Sequence, residues 1–438
     1  MIGARAPEPA APIRIGLLGC GTVGQAVVRT LIDGAETIER ASGHRLELGP
    51  VLVRDTRRER PGVDPDLITD DPAVVVDDPS VAIVVEVMGG VDPALGYLRR
   101  ALARGASVVT ANKQLLSRHG PELLDAAQEA GAELRFEASA CAAIPVIKVL
   151  RESLLAAEIE ALTGIVNGTT NFILTEMGRG APYPEALARA QALGYAEADP
   201  AEDVGGADAA AKMAILASIA FHSRVLIDDV PFEGIDRLQA EDLAHAAALG
   251  FVVKLVGVAR LLNGSVSVRV YPALVPRGHR LAAIGGPDNA VLLESRATQQ
   301  IMLVGPGAGG DATASAVIAD ILSILGTHQG SFLHNALADA GRPVAAPGTV
   351  PSAFYLRTSV ADRPGVLARV AQIFADEGLS ILSVVQSGSG DEASLVLVLH
   401  RGLEERMQRA VEGIRALDDV RGDPVMLRVL GSGEGGEG

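Results

Sequence analysis

Lysine is scarce in this chain: arginine outnumbers it 34 to 4, and the four are Lys113, Lys148, Lys212 and Lys254. An arginine guanidinium does not deprotonate in proteins, whereas a lysine ammonium is compact and can release a proton. A chain with this bias keeps lysine where such a group is useful. Lys212 follows Asp208 by four residues, which places both on one face of a helix. The residues between and after them, from Ala209 to Ala217, are otherwise all apolar. A surface pair of this kind is worth only about 0.3–0.5 kcal/mol. On so apolar a helix the pair is expected to line a cleft, where it could move a proton. Upstream, Gly194-Tyr195-Ala196-Glu197-Ala198-Asp199-Pro200 sets further carboxylates beside a glycine turn. Taken alone, that segment reads equally well as a solvated acidic loop.

The other chemistry-bearing pattern is Gly19-x-Gly21-x-x-Gly24. It follows the apolar run Ile13–Leu18 and opens a helical stretch through Ile32, the context that a dinucleotide fingerprint needs. The glycines permit a tight turn and close backbone approach, so a helix N-terminus can hold a pyrophosphate. NAD-preferring versions end the second strand in an acid that binds the ribose hydroxyls. Here the strand Leu48–Val53 ends in Arg54, then Asp55, with Arg57 and Arg58 close by. Arginine suits a 2′-phosphate, so NADP(H) is the expected cofactor, with NAD(H) possible. Zinc is not expected: His222, His245 and His279 are isolated, and Cys20 and Cys141 are the only cysteines. The same count excludes a disulfide framework.

These groups need a scaffold. Further apolar strands are expected at Ala82–Val87, Ala106–Val109 and Ala132–Phe136, with helices at Pro93–Ala103 and Pro121–Ala130 between them. Apolar strands alternating with helices read as a parallel sheet covered on both faces, a Rossmann-type domain over residues 13–145. Residues 146–310 mix Ala-rich helices (Ala207–Phe221, Glu241–Leu249) with alternating strands such as Ser265–Tyr271, an α+β domain. A helix at 311–330 is expected to return to the first domain, followed by a Gly/Pro/Ala linker at 331–352. The last unit, 353–431, reads β-α-β-β-α-β and is therefore ferredoxin-like. In it Asp362 is expected to cap a helix with Pro364 in its first turn. Residues 1–12 and 432–438 read as disordered tails.

Several segments together resemble homoserine dehydrogenase. They are GCGTVG at 19–24, TANK at 110–113, EASACAAIPVI at 137–147, NGTTNFIL at 167–174, GYAEADPAEDVGGADAAAK at 194–212 and GPGAGGDATASAV at 305–317. DRPGVLARVAQIFADEG at 362–378 resembles an ACT domain, a module that commonly binds amino acids as a regulator. No aspartate kinase region precedes the nucleotide-binding unit, so the monofunctional form is expected. The resemblance implies reversible reduction of L-aspartate 4-semialdehyde to L-homoserine with NAD(P)H, on the route to threonine and methionine. It implies that Lys212 gives a proton to the developing alkoxide and that Glu197 and Asp208 hold the substrate ammonium. Lys113 would lie near both substrate and cofactor. Gly19, Gly21, Thr22, Val23, Gly24, Arg54, Thr110 and Lys113 would face the cofactor, and Gly194, Gly307 and Gly309 would approach its nicotinamide. A buried ammonium beside a second lysine is expected to have a lowered pKa, near enough to neutrality to donate.

The resemblance also implies a monovalent cation, Na+ or K+, held by Glu137 and the carbonyls of Ala140, Ala142 and Ile144. Where the family often has Val-Ala-Gly-Gly, this chain has Ala140-Cys141-Ala142-Ala143. Alanine there is costly if either glycine had positive φ. Asp362, Gly365 and Gln386 are where an ACT ligand, threonine, is expected. The middle domain of the family commonly dimerises through its sheet, so a homodimer or homotetramer is expected.

Composition narrows the alternatives. A net charge of −16 with 3% aromatics makes a poor partner for nucleic acid or anionic lipid. The charge-free run Ile321–Ala338 is too polar to span a bilayer, and Met1–Pro12 lacks the apolar core of a secretory signal. A cytoplasmic enzyme is expected. Two other readings stay open: a sensor with this architecture that no longer turns over, which only the 140–143 turn supports, and a dehydrogenase of another amino-acid semialdehyde.

Overall fold

The structure, a computed structural model, describes residues 11–262, 264–326, 347–349, 351–388 and 392–429. They fall into two compact units, one on each side of residues 327–346.

The first unit begins with β1 (Ile13–Leu18), which runs into the glycine turn and the helix Thr22–Asp33. It pairs in parallel with β2 (Leu46–Leu52) on one side and β4 (Ile83–Glu86) on the other. With β3 (Ile68–Thr69), β5 (Ser107–Thr110) and β6 (Leu134–Arg135) the order is β3-β2-β1-β4-β5-β6, parallel throughout. The strand order reverses between β1 and β4, and ligands of such sheets bind in the crevice at the carboxyl ends there. The segments leaving β1, β4 and β5 at that edge are Gly19–Gly24, Val87–Gly90 and Ala111–Lys113. The central strands β4 and β5 and the ends of β1 and β2 nearest the crevice are buried on both faces, as the continuous apolar runs required.

Five antiparallel strands follow: β7 (Ile159–Ile165), β8 (Phe251–Leu262), β9 (Ser265–Pro276), β10 (Asp288–Ser295) and β11 (Gln299–Pro306), in the order β11-β10-β7-β8-β9. The helix Ala207–Ala220 presses closely on β8: a Cβ at Gly257 would stand 2.3 Å from the Met213 side chain. After β11 the chain turns through glycines into the helix Gly310–Ile324, which packs on Thr22–Asp33; a Cβ at Gly310 would meet the Thr22 carbonyl at 3.2 Å. The main core runs without a break from the parallel sheet into the middle domain.

The second unit comprises β12 (Pro351–Val360), β13 (Ile381–Ser387), β14 (Ala393–Leu403) and β15 (Val420–Val429) in the order β13-β14-β12-β15, with helices Val366–Asp376 and Glu404–Arg415. Phe354, Leu356, Val370, Phe374, Met407 and Ile414 fill its core. This is the ferredoxin-like β-α-β-β-α-β order.

Some expectations shift. The helix placed at Pro121–Ala130 begins at Lys113, because Asn112 caps it by accepting from the Leu115 N–H at 3.1 Å and Pro121 is carried inside it. Asp362 is not a helix cap: the helix starts at Val366 after Gly365, whose φ of 91° ends the turn. β12 starts at Pro351, inside the stretch read as linker; residues 331–346 and 350 of that stretch, residues 1–10 and the C-terminal tail lie outside the described residues. Among the described residues no helix is long and apolar enough to cross a membrane.

Candidate active site

Asp208 and Lys212 sit one turn apart near the start of the helix Ala207–Ala220, which is buried on every side from Asp208 to Ala217. The pair is therefore buried, away from open solvent. Lys212 Nζ lies 2.9 Å from Asp208 Oδ2 and donates to the Val166 carbonyl at 2.9 Å. Lys113, the first residue of its helix, reaches the other carboxylate oxygen, Oδ1, at 2.9 Å. Asn167 donates from Nδ2 to Asp208 Oδ2 at 2.8 Å and to Asp203 Oδ1 at 2.7 Å. Its Oδ1 caps the helix Gly168–Gly178 by accepting from the Thr170 N–H.

The charges of this cluster shift one another. Burial alone would raise the Asp208 carboxyl, but Lys212 and Lys113 hold it well below the usual carboxylate range. In return the Asp208 charge raises Lys113 above the ordinary lysine value, against an opposing effect of burial. A carboxylate between the two ammonium groups, not repulsion between them, governs Lys113. Asp203 is raised by burial and then by its neighbour Asp208. Sequence reasoning missed both Asp203 and Asn167. The signal was present, since both fall inside motifs already singled out.

A cleft of about 460 Å³ opens beside this cluster, lined by Gly89, Gly90, Asn112, Lys113, Gln114, Glu197, Asp199 and Glu202. Gln114 donates to both Glu202 oxygens, at 2.7 and 2.9 Å. Glu197 is exposed on the cleft wall with Lys113, while Asp208 lies behind it. Gly194, at φ 77°, belongs to a turn that Thr169 ties down by donating to the Tyr195 carbonyl at 2.5 Å.

At the carboxyl edge of the parallel sheet the three fingerprint glycines differ in duty. Gly19 has φ 97°, which a side chain would strain. At Gly24 a Cβ would stand 2.3 Å from the Gly19 carbonyl, so only glycine lets the helix start this close to the turn. Gly21 faces open space and precedes Thr22 and Val23, whose helix presents its N-terminal N–H groups there. Gly309 (φ 122°) precedes the adjoining helix, whereas Gly307 is turned inward onto Asn289. Thr110 is buried, its hydroxyl donating to Glu86 Oε2 at 2.6 Å. Arg54 is exposed beyond β2. Arg60, which the sequence reading passed over, folds back on this loop and donates to the Asp55 and Arg58 carbonyls at 3.0 and 2.7 Å.

Glu137 is buried, and its two oxygens accept from the N–H groups of Ile147 and Lys148 at 2.8 and 2.7 Å. Burial pushes its carboxyl up to about 7. Its own N–H bonds Asp320 Oδ2 at 2.7 Å, and burial lifts that carboxyl to about 6. The Arg151 charge pulls both carboxyls down in part. Ala142 holds φ 44°, so the alanine of this turn does take a conformation that suits glycine. Cys141 is fully buried, and its thiol is pushed up to about 11 by desolvation, against a smaller pull from Lys212.

In the C-terminal unit Asp362, Gly365 and Gln386 come together around one cavity of about 370 Å³ at the turn between β12 and its helix. Gln386 Nε2 donates to Asp362 Oδ1 at 2.9 Å.

Comparison with known proteins places this arrangement. Residues 19–137 match the homoserine dehydrogenase NAD-binding domain, residues 145–322 homoserine dehydrogenase itself, and residues 354–419 the ACT domain. The chain is 44% identical to a homoserine dehydrogenase of Mycobacterium tuberculosis over 440 residues, covering 98% of this chain and 100% of that one. The crystal structure of a homoserine dehydrogenase from Thiobacillus denitrificans superposes with a TM-score of 0.70 at 40% identity, covering 95% of this chain and 98% of that one. A hyperthermophilic archaeal homoserine dehydrogenase mutant in complex with NADPH gives a TM-score of 0.61 at 28% identity, over 72% of this chain and 98% of that one. With its nucleotide-binding sheet, its middle domain and its ACT domain all matched, the chain belongs to the homoserine dehydrogenase family of NAD(P)-dependent oxidoreductases.

Proposed function

We propose that Lys212 is the proton donor when L-aspartate 4-semialdehyde is reduced to L-homoserine, and the acceptor in the reverse direction. The observation that carries this is the sharing of the Asp208 carboxylate by Lys212 and Lys113. Bound NADPH supplies the hydride to the aldehyde carbon, and the carbonyl electron pair moves onto oxygen. An ammonium has three protons, and the bonds to Asp208 and Val166 take two of those on Lys212. The third is available to the alkoxide, which a fixed cation in a dry site stabilises strongly. Asp208 keeps both lysines in place and, with Glu197, holds the substrate ammonium. Lys113, half in the cleft, orients the substrate towards Lys212.

NADPH is the preferred cofactor, with Arg54 as ligand of its 2′-phosphate and Arg60 stiffening the loop behind. The NADPH complex of the archaeal relative supports this reading. The N-terminal N–H groups of the helix Thr22–Asp33 would hold the cofactor's pyrophosphate. A Na+ or K+ ion would be held by Glu137 and the carbonyls of Ala140, Ala142 and Ile144, and would fix the turn that leads from the parallel sheet to the middle domain. Threonine occupies the cavity at Asp362, Gly365 and Gln386 and lowers activity. A homodimer forms through the middle sheet, where a groove of about 520 Å³ runs past Val256, Val258 and Tyr271.

The test is homoserine-dependent reduction of NADP and of NAD, in sodium and in potassium, with and without threonine, beside a panel of other amino alcohols. The reading expects homoserine to be oxidised fastest, with a higher kcat/KM for NADP. A faster reaction with another amino alcohol would overturn the substrate, and no turnover by folded protein would favour the sensor.

A further inference from the structure

Glu86 ends β4 at the crevice where the strand order reverses, and it is wholly buried. Its carboxyl group gathers donors from two connections. After β4, the N–H groups of Met88 and Gly89 donate to Oε1 at 2.8 and 3.2 Å. At the end of β5, the Thr110 hydroxyl donates to Oε2 at 2.6 Å, and Asn112 Nδ2 reaches Oε1 at 3.4 Å. Two further bonds close the frame. Asn112 Nδ2 donates to the Gly90 carbonyl at 2.6 Å, and the Thr110 hydroxyl accepts from the Asn112 N–H at 3.1 Å. Burial raises this carboxyl in spite of its bonds to Thr110, Met88, Gly89 and Asn112, so a charge is costly here and the bonds are what the group supplies.

What this frame holds faces the cleft. Gly89 and Gly90 have φ 74° and 75°. Their turn has no side chains to fix it, so the bonds made to its backbone set its place. On one side the connection lies against the fingerprint turn: a Cβ at Gly19 would stand 3.0 Å from the Val87 carbonyl and 3.1 Å from Met88 Cα. On the other side Gly89 and Gly90 line the cleft with Asn112 and Lys113. Asn112 also caps the helix that Lys113 opens. One side chain thus ties the glycine turn beside the fingerprint to the root of Lys113.

We propose that Glu86 is a positioning residue for the reaction: by tying the Met88–Gly90 turn to Thr110 and Asn112, it sets where the glycine turn and Lys113 stand at the cleft. This rests on the reading that the cleft receives the substrate and that Lys113 orients it there. Being wholly buried, Glu86 acts only through the groups it holds. Its reach to both connections matters, and its charge does not.

Two variants separate reach from charge. Glu86→Asp keeps the charge but is one methylene short, so it cannot serve both connections at once. Glu86→Gln keeps the reach: its Oε1 takes the Met88 and Gly89 N–H groups, and its Nε2 donates to the Thr110 hydroxyl oxygen. Both are compared with wild type, Glu86→Ala and Lys113→Ala. The readouts are kcat and KM for homoserine oxidation with NADP, and the dissociation constant of 2′-phospho-ADP-ribose, which lacks nicotinamide. In Glu86→Asp and Glu86→Ala, kcat is expected to fall by about 10- to 100-fold with 2′-phospho-ADP-ribose binding unchanged. Glutamine is expected to restore most of the rate. The proposal is overturned if Glu86→Asp turns over like wild type, or if Glu86→Gln is as slow as Glu86→Ala. It is also overturned if kcat and 2′-phospho-ADP-ribose binding fall together, the mark of an ordinary structural residue. If alanine prevents folding, the aspartate and glutamine variants carry the comparison. No turnover by wild type, or an unimpaired Lys113→Ala, would fail the reading of the cleft and this proposal with it. An impaired Lys113→Ala beside a fully active Glu86→Asp would fail only the role of Glu86.

Discussion

Lys113 and Lys212 hold the two oxygens of one carboxylate, Asp208, each at 2.9 Å. They come from different domains, one from the helix that leaves β5 and the other from the most buried helix of the middle domain. The carboxylate is therefore a clasp between the nucleotide-binding domain and the middle domain.

Asp208→Asn removes the charge and leaves two ammonium groups facing each other. Breaking a buried pair costs about 3–5 kcal/mol, with the lower end expected because Lys113 keeps part of its hydration. The pH dependence follows from the directions of the shifts. Lys113 is raised, so its contribution is complete below the ordinary lysine pKa of about 10.4 and is lost as pH rises through the folded value. Asp208 is held low, so its contribution survives mild acid and goes only as pH falls through its depressed value. Urea unfolding should show the same deficit in the variant at pH 6 and pH 8, shrinking at strongly alkaline pH. A deficit that instead disappears between pH 6 and pH 4 would contradict the clasp.

Arg54→Ala should raise the KM for NADPH by about ten- to a hundredfold, the loss of a charge-assisted phosphate contact, and leave the KM for NADH nearly unchanged. Equal effects on both cofactors would remove Arg54 from the 2′-phosphate site.

Ala142→Gly should stabilise the protein by about 1 kcal/mol, because φ 44° strains an alanine and not a glycine. Chemical denaturation measures this directly. Destabilisation would mean that the turn relaxes in solution.

Gln386→Ala should reduce inhibition by threonine without altering the uninhibited rate, since the residue lines only the cavity of the C-terminal unit. A change in the uninhibited rate would point to a structural effect.

What the chain disclosed before folding was mostly local. The Asp208–Lys212 pair is an i,i+4 relation, the three fingerprint glycines fall within six consecutive residues, and the alternation of Phe354, Leu356 and Thr358 is a strand by itself. Contacts across the fold were not legible in spacing. That Lys113 meets Asp208, that Asn167 spans Asp203 and Asp208, and that Arg60 folds onto the Arg54 loop depend on packing of distant segments. The depth of Lys212 likewise depends on packing: its helix lies so close to β8 that only a glycine at 257 admits the Met213 side chain. At Asp362 a capping residue type stood before Pro364, yet Gly365 took the positive φ that ends the turn and the aspartate paired with Gln386 instead.

The most direct test of the account is Lys212→Ala, read by turnover and by NADPH binding in the same preparation. Loss of a positioned proton donor is expected to lower kcat for homoserine oxidation by about 10²–10⁴-fold, with NADPH affinity unchanged because Lys212 lies in the middle domain, outside the nucleotide-binding domain. If the folded variant instead keeps kcat within a few-fold of wild type, or loses activity only through weaker NADPH binding, Lys212 is not the group that moves the proton.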